Sequence, residues 1–256
     1  MALTFASLGS GSEGNALVVR VGKTVVMMDC GFGLSHTEAR LNALGLSAAD
    51  IDAVVVTHEH GDHVGGVARF SRRHGTPVWM THGTARAVGQ EKFSEGLLNY
   101  VDPRSPFAIK GININPYFVP HDAVEPVQYV FDDGRAKLGV LTDTGSSTAH
   151  IEAALSGCDA LVLECNHDLD LLMNGPYPVG LKRRVSGRFG HLDNTTAAQI
   201  LSAIDCSKLK HIIAAHLSQR NNTPALAQAA LAGALHCAAD DIGIAEQDSG
   251  FAWREI

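Results

Sequence analysis

The sequence is short of cysteine, of net positive charge and of long apolar runs. Its five cysteines are widely spaced and form no Cys-x-x-Cys pair, which argues against a disulfide framework and against a thiolate zinc site. The formal net charge is −7, so an anionic substrate would have to be held by local charge or by metal. No apolar run is long enough to span a membrane, and the N-terminal residues lack the signal-peptide pattern. We therefore expect a cytoplasmic protein with no membrane partner.

Short β-like runs alternate with helical stretches along the 256 residues, of which 45% are hydrophobic. Examples are the runs AVVVT, LGVLT and HIIAA and the helical stretch NTTAAQILSAI. Such alternation predicts mixed β-sheets with helices on their outer faces. Residues 166–193 are expected to form a long irregular stretch before the helix that follows them.

The densest chemical signal is the segment THEHGDH, which directly follows an apolar run. It offers four potential metal ligands, His58, His60, Asp62 and His63. Two imidazoles two residues apart can share one ion, and the aspartate and third histidine can address a second. Imidazole with carboxylate suits zinc, manganese or iron. A polar surface loop is the ordinary alternative, and it accounts poorly for four ligands packed this closely.

Four further acids and histidines stand where other β-like runs end: His121, Asp143, Glu164 and His216. Each of them alone would be read as an ordinary polar residue. In layered α/β folds, however, the loops that leave strand ends gather at one rim and build sites there. A carboxylate such as Asp143 could bridge two ions. Such a pair can hold a shared hydroxide and neutralise the attacking and leaving oxygens of a phosphoryl group.

The segment THEHGDH resembles the signature of the metallo-β-lactamase fold superfamily, and the other elements of that pattern follow in order. The resemblance implies a four-layer αβ/βα sandwich of two mixed β-sheets with outer helices. It also implies a dinuclear site in which one ion is held by His58, His60 and His121, the other by Asp62, His63 and His216, with Asp143 bridging. By the same pattern Asp29 is not a ligand but braces the histidine loop from behind.

A narrower resemblance rests on the segments GSGSEGNA, PHDAVEPVQYVF, LECNHDLDLLMNGPYPVGLKRRV, GHLDNTTA and AHLSQRNNTPALA. Together they are similar to the YycJ (WalJ) group, which implies a 5′-to-3′ exonuclease that acts on DNA. The chain departs from that pattern at Asp193, where the group has serine after GHL. Only 72 residues separate Asp143 from His216, which leaves no room for a β-CASP insertion. We therefore expect residues 1–256 to form a single domain.

A third resemblance, to ribonuclease Z, concerns the residues that would protonate the leaving group. There a glutamate and a histidine in corresponding places work as a pair, which here implies Glu164 and His191. A carboxylate can raise the pKa of an imidazole and orient it as a proton donor. The structural alternatives are that the histidine only packs and that the glutamate only caps a helix. Asp62 is counted with this pair among the catalytic residues.

Two segments are candidates for binding substrate phosphate. The segment KRRVSGR is the only dense positive patch, and Lys182, Arg183 and Arg184 are its predicted phosphate contacts, unless it is a solvated loop. The segment GSGSEGN could present backbone N–H groups and side chains to a phosphate, or could be a plain hairpin turn. Its predicted contacts are Ser10, Ser12 and Asn15.

The leading interpretation is a phosphodiester hydrolase that uses a metal-bound hydroxide as nucleophile and two divalent ions per chain, zinc or manganese, with iron also possible. Its expected partners are nucleic acid ends, DNA favoured over RNA, and the chain could be a monomer or a homodimer. One alternative is a small-molecule cyclic phosphodiesterase. Others are a thioester, lactone or β-lactam hydrolase, which the basic segment disfavours, and a non-catalytic binding subunit, which the complete set of seven ligands disfavours.

Overall fold

The computed structural model describes residues 2–256, and in that range the strands form two seven-stranded sheets. The strands of the first sheet are β1 (Leu3–Gly9), β2 (Ala16–Val21), β3 (Thr24–Met28), β4 (Ala53–Val55), β5 (Val78–Thr81), β6 (Leu98–Val101) and β14 (Phe251–Glu255). Those of the second are β7 (Phe107–Ile109), β8 (Ile112–Phe118), β9 (Val127–Asp132), β10 (Lys137–Leu141), β11 (Ala160–Glu164), β12 (His211–Ala215) and β13 (Ile242–Ile244).

The α-helices lie between these strands in the chain. They are α1 (Leu34–Ala43), α2 (Gly61–Val64), α3 (Val67–His74), α4 (His82–Val88), α5 (Ala149–Leu155), α6 (Leu169–Asn174), α7 (Val179–Val185), α8 (Asn194–Ala203) and α9 (Pro224–Leu235). None of the helices in residues 2–256 is both long and apolar enough to cross a membrane.

Both sheets are mixed, and each has an antiparallel half and a parallel half. The first runs in the order β14-β1-β2-β3-β4-β5-β6, and the pairings from β3 to β6 are parallel. The second runs in the order β13-β12-β11-β10-β9-β8-β7, and the pairings from β10 to β13 are parallel. Parallel strands send their carboxyl ends to the same edge, and most of the predicted ligands follow such strands.

Three hydrophobic cores separate four layers. The two sheets pack face to face through a core that includes Phe5, Val26, Tyr129 and Leu138. The outer face of the first sheet packs against α1, α3 and α4, and that of the second sheet packs against α5, α8 and α9. The predicted αβ/βα sandwich is confirmed.

The expectation of a long irregular stretch at residues 166–193 is wrong. This segment contains the short helices α6 and α7, and α7 carries Lys182, Arg183 and Arg184. Asp168 begins α6, because its Oδ1 accepts a hydrogen bond from the backbone N–H of Leu171 over 2.9 Å. The basic segment is therefore helical, and a helix points neighbouring basic side chains in different directions.

Candidate metal centre

Several residues of the candidate site occupy unusual backbone conformations within two residues of strand ends. Asp29, Asp143 and His216 have φ angles of 59°, 51° and 55°, in the left-handed region. They follow β3, β10 and β12 respectively. This conformation costs a residue with a side chain about 1–2 kcal/mol. Strain of this kind persists where the surrounding structure holds it and is concentrated at functional sites.

The predicted ligands form two clusters in the structure. His58, His60 and His121 place one ligand atom each within 4.8 Å of one another, and so do Asp62, His63, Asp143 and His216. In the first cluster His121 Nε2 lies 3.2 Å from His60 Nδ1. In the second, His63 Nε2 lies 2.9 Å from Asp143 Oδ2. The seven residues from four separate segments therefore meet at one edge of the sandwich.

The hydrogen bonds around His58 leave its Nε2 lone pair available to bind an ion. The hydroxyl of Thr57 donates to Asp29 Oδ2 over 2.8 Å, so its oxygen accepts from His58 Nδ1 over 2.9 Å. A neutral His58 then carries no proton on Nε2. That nitrogen is buried and has no hydrogen-bond partner among residues 2–256. A buried lone pair without a donor fits a metal ligand.

His63 shows the same arrangement more strongly. Its Nδ1 donates to Asp29 Oδ2 over 2.8 Å, so a neutral ring presents the lone pair of Nε2 to Asp143 Oδ2. Two lone pairs at 2.9 Å repel each other unless a proton or a cation lies between or beside them. The residues present therefore fit a divalent ion, and imidazole with carboxylate suits zinc, manganese or iron.

The electrostatics of the two clusters differ. Burial lowers the pKa of His58 well below its usual value, which favours the neutral ligand form. Burial would also lower the pKa of His216, but Asp143, Asp62 and Glu164 outweigh it and raise that pKa to about 10. The second cluster is therefore rich in negative charge and attracts positive charge, as a proton or as a metal ion.

Asp29 fixes the histidine segment from behind. Its Oδ1 accepts the backbone N–H of Thr57 over 2.8 Å, and its Oδ2 accepts from the Thr57 hydroxyl and from His63 Nδ1. Its side chain is buried and lies on the Nδ1 side of the His63 ring, away from Nε2. It thus orients His63 directly and His58 through Thr57, and its predicted role as a brace rather than a ligand stays a prediction.

We expect Asp29→Asn to weaken metal binding about 10- to 100-fold, because an amide cannot accept all three hydrogen bonds and disturbs the tautomer of His63. The measurement is metal affinity by competition with a chromogenic chelator. Thr57→Ser is the matched control, since it keeps the hydroxyl that links Asp29 to His58 and should bind metal as the unchanged chain does. Equal affinities of Asp29→Asn and Thr57→Ser would contradict this role.

Glu164 and His191 form a pair at the floor of the same site. His191 Nδ1 lies 2.8 Å from Glu164 Oε1, and Glu164 Oε2 accepts the backbone N–H of Thr144 over 2.9 Å. Burial would lower the pKa of His191, but the charge and hydrogen bond of Glu164 raise it above the usual value. Glu164 also lies 3.3 Å from His216 Nδ1, so it contacts both a candidate acid and a candidate ligand.

The site opens into a cleft of about 330 Å³, whose lining includes Ser12, Asp62, Arg184 and His191. Arg184 is the one member of the basic segment's three predicted contacts that lines it, whereas Lys182 Nζ donates to the carbonyl of Met173 over 2.7 Å. The phosphate-binding roles of all three, and of Ser12, stay predictions.

Ser10 and Asn15 lie behind the ligands and are buried. The Ser10 hydroxyl accepts the backbone N–H of His216 over 2.9 Å and donates to Asn15 Oδ1 over 3.1 Å. Asn15 Nδ2 lies 3.1 Å from His63 Nε2 and 3.3 Å from Asp62 Oδ2. These contacts position ligands, and contact with a substrate phosphate stays a prediction.

Two further acidic residues near the candidate ligands, Asp193 and Asp122, accept hydrogen bonds. Asp193, the departure from the YycJ pattern, begins α8: its Oδ1 accepts the N–H groups of Thr195 and Thr196, which a serine could do as well. Asp122 was not predicted. It lines the cleft, and its Oδ2 accepts from Arg184 Nε over 2.7 Å. Its position directly after His121 was the available signal.

Comparisons with known proteins agree with this geometry. Residues 24–216 match the family model of the β-lactamase superfamily domain. The chain is 34% identical over 232 residues to exodeoxyribonuclease YycJ of Bacillus anthracis, covering 89% of this chain and 87% of that protein. It is 29% identical over 248 residues to exodeoxyribonuclease WalJ of Streptococcus pneumoniae, covering 94% and 90%.

A solved structure supports the same fold. The metallo-β-lactamase fold protein YhfI from Bacillus subtilis is similar over 100% of both chains, with a TM-score of 0.77 and 16% sequence identity. The family match and the two His/Asp clusters of this chain are those of a hydrolase with a buried metal site. The chain therefore belongs to the metallo-β-lactamase superfamily.

Proposed function

We propose that this chain is a dinuclear, metal-dependent phosphodiester hydrolase, and that it works as a 5′-to-3′ exonuclease on DNA. The observation that carries the proposal is one cleft lined by members of both ligand sets, by His191 of the Glu164–His191 pair and by Arg184. The relatives named exodeoxyribonucleases support the choice of DNA. We also propose that the chain acts as a single domain without a β-CASP insertion.

The chain's own residues divide the work. His58, His60 and His121 would hold one ion, Asp62, His63 and His216 the other, and Asp143 would contact both. Bound divalent ions would supply an activated water and offset charge on the phosphoryl group. The protein's part is to hold them apart, to exclude bulk water on the buried side and to orient the substrate.

His191 would carry the proton that the leaving oxygen needs. Its Nδ1 is bound to Glu164, so the proton available to a substrate is the one on Nε2. The side chain is 23% exposed and lines the cleft, whereas Glu164 is fully buried. The carboxylate therefore favours the protonated ring without itself meeting the substrate.

A small-molecule phosphodiesterase is the second candidate. The cleft volume of about 330 Å³ is near the lower end for ligand sites and would hold a single nucleotide. The test is a panel of end-labelled single- and double-stranded DNA and RNA together with a cyclic nucleotide, each with manganese or zinc. Stepwise DNA degradation supports the exonuclease. Hydrolysis of the cyclic nucleotide with no DNA degradation would overturn it.

We expect Arg184→Ala to raise the KM for DNA about tenfold, because a cleft-facing guanidinium can bind phosphate with charge-assisted hydrogen bonds. The slope of log affinity against log salt should become shallower by about 1. Arg183→Ala is the matched control: it removes the same charge from the neighbouring position of α7, outside the cleft lining, and should change KM less. An equal effect of the two variants would contradict the assignment.

A further inference from the structure

Phe189 is a large aromatic residue that stands exposed beside the cleft. Its side chain is 54% exposed, although the residue lies in the turn between α7 and His191. Its carbonyl accepts the backbone N–H of Asp122 over 3.0 Å, and the next residue, Gly190, lines the cleft. The backbone that carries the ring is therefore held next to the cleft, two positions from the candidate acid.

The turn that carries Phe189 is held on both sides. The N–H of Gly190 donates to the carbonyl of Gly187 over 2.8 Å, and that of His191 donates to the carbonyl of Val185 over 2.8 Å. A Cβ on Gly190 would lie 2.2 Å from the carbonyl oxygen of Val185, so the turn lies flat against the end of α7.

The loop after Asp143 holds the turn from the opposite side. A Cβ on Gly145 would lie 2.3 Å from the carbonyl oxygen of Arg188, and the Ser146 hydroxyl donates to that oxygen over 3.3 Å. The backbone beneath Phe189 is thus clamped between α7 and a ligand-bearing loop. An exposed aromatic ring on a clamped backbone loses little conformational entropy when it binds a partner.

The charges around the ring indicate what it would bind. The guanidinium of Arg188 lies over the Phe189 ring, 5.7 Å from its centroid, and Arg184 faces the adjoining cleft. Aromatic faces interleaved with cations are the means by which proteins bind unpaired nucleotides, through base stacking and phosphate contacts. A second copy of this chain fits less well, because a symmetric contact at this turn would bring the two basic segments together.

We propose that Phe189 is a stacking platform for an unpaired base next to the scissile phosphate, with Arg188 contacting the adjoining backbone. The proposal rests on the proposed nuclease function and deepens it, since it assigns an unpaired terminal nucleotide as the form in which the DNA end occupies the site. Inside a paired duplex the faces of the bases are covered by their neighbours, so stacking on the ring calls for an end that is single-stranded or has frayed.

The test combines one change in the protein, Phe189→Ala, with one change in the DNA, removal of the terminal base, and measures each alone and both together. Binding of phosphorothioate-linked single-stranded oligonucleotides to the metal-loaded chain is measured by fluorescence anisotropy, with a natural or an abasic residue at the terminal position. For the unchanged chain, removal of the base should weaken binding about tenfold. Phe189→Ala should weaken binding of the natural strand about tenfold and then show no further loss with the abasic strand.

Two controls sharpen this test. Phe189→Trp should retain the tight binding and should quench the fluorescence of a terminal 2-aminopurine. Tyr100→Ala, which removes an exposed aromatic residue of β6 outside the cleft lining, should change neither binding constant. Light scattering should give the same mass for the unchanged chain and for Phe189→Ala.

The outcomes separate this inference from the function on which it rests. The stacking role would be overturned if Phe189→Ala and base removal weakened the binding constant independently, so that their factors multiply. It would also be overturned if the chain did not bind single-stranded DNA. A change of mass in Phe189→Ala would also overturn it and assign the ring to a contact between copies. If the effects of Phe189→Ala and of base removal are coupled but no metal supports DNA cleavage, the stacking role of Phe189 stands. Only the exonuclease proposal is then overturned.

Discussion

Asp143→Ala should remove both metal ions, or leave one weakly held, and should abolish hydrolysis of DNA and of bis(p-nitrophenyl) phosphate alike. Asp143 is buried, its Oδ2 lies 2.9 Å from His63 Nε2, and its Oδ1 lies 4.0 Å from His121 Nε2. Among residues 2–256 it is the one carboxylate within 4.0 Å of a histidine of each cluster. If it is the shared ligand that we propose, its loss takes a ligand from each ion and removes negative charge that would offset their repulsion.

The backbone at this position calls for a second variant. Asp143 has a φ of 51°, which alanine tolerates poorly and asparagine well, so Asp143→Asn separates the loss of charge from added strain. Both variants should show less than two ions per chain by elemental analysis. Asp240→Ala, an exposed carboxylate away from the cleft, should keep full metal content and activity. Two tightly held ions in Asp143→Asn would contradict a shared ligand.

His191→Ala should slow DNA hydrolysis about 10²- to 10⁴-fold, the usual contribution of a general acid, while largely sparing bis(p-nitrophenyl) phosphate. A nucleoside oxygen is a poor leaving group and needs a proton, whereas nitrophenolate departs without one. The imidazole is not a member of either predicted ligand set, so metal content should stay at two. The measurement is kcat on both substrates with metal analysis of the same samples.

Glu164→Gln should show a weaker form of the same split, because the amide still accepts a hydrogen bond from His191 Nδ1 but no longer raises the pKa of the ring. His36→Ala removes an exposed histidine of α1 and serves as the control, with no effect expected on either substrate. An equal loss on both substrates in His191→Ala, with metals retained, would reject the acid role and leave His191 as a residue that positions the substrate.

Much of the fold and of the ligand set could be predicted from the sequence, for a physical reason. Strands have a recognisable pattern, and candidate ligands such as His58, Asp143 and His216 follow within three residues of a strand end. The ends of parallel strands must meet at one edge. Residues from distant segments are therefore expected to lie close together from the sequence alone.

Contacts between side chains could not be predicted in this way. The pairing of Arg184 with Asp122, and the burial of Ser10 and Asn15 behind the ligands, depend on how loops of different layers pack. The basic segment was expected to be irregular because α7 is short and lacks a strong N-terminal capping side chain. Phe189 carries no periodic signal, and its exposure follows from the turn beneath it.

The central claim is that this chain binds two metal ions side by side and uses them to hydrolyse DNA from its 5′ end. The most direct measurement titrates manganese into metal-free protein and follows release of the label from single-stranded DNA labelled at the 5′ end. We predict release of the labelled terminal nucleotide, with activity that reaches its plateau at two ions per chain. Full activity at one ion per chain, or no release of label at any metal loading, would contradict the account.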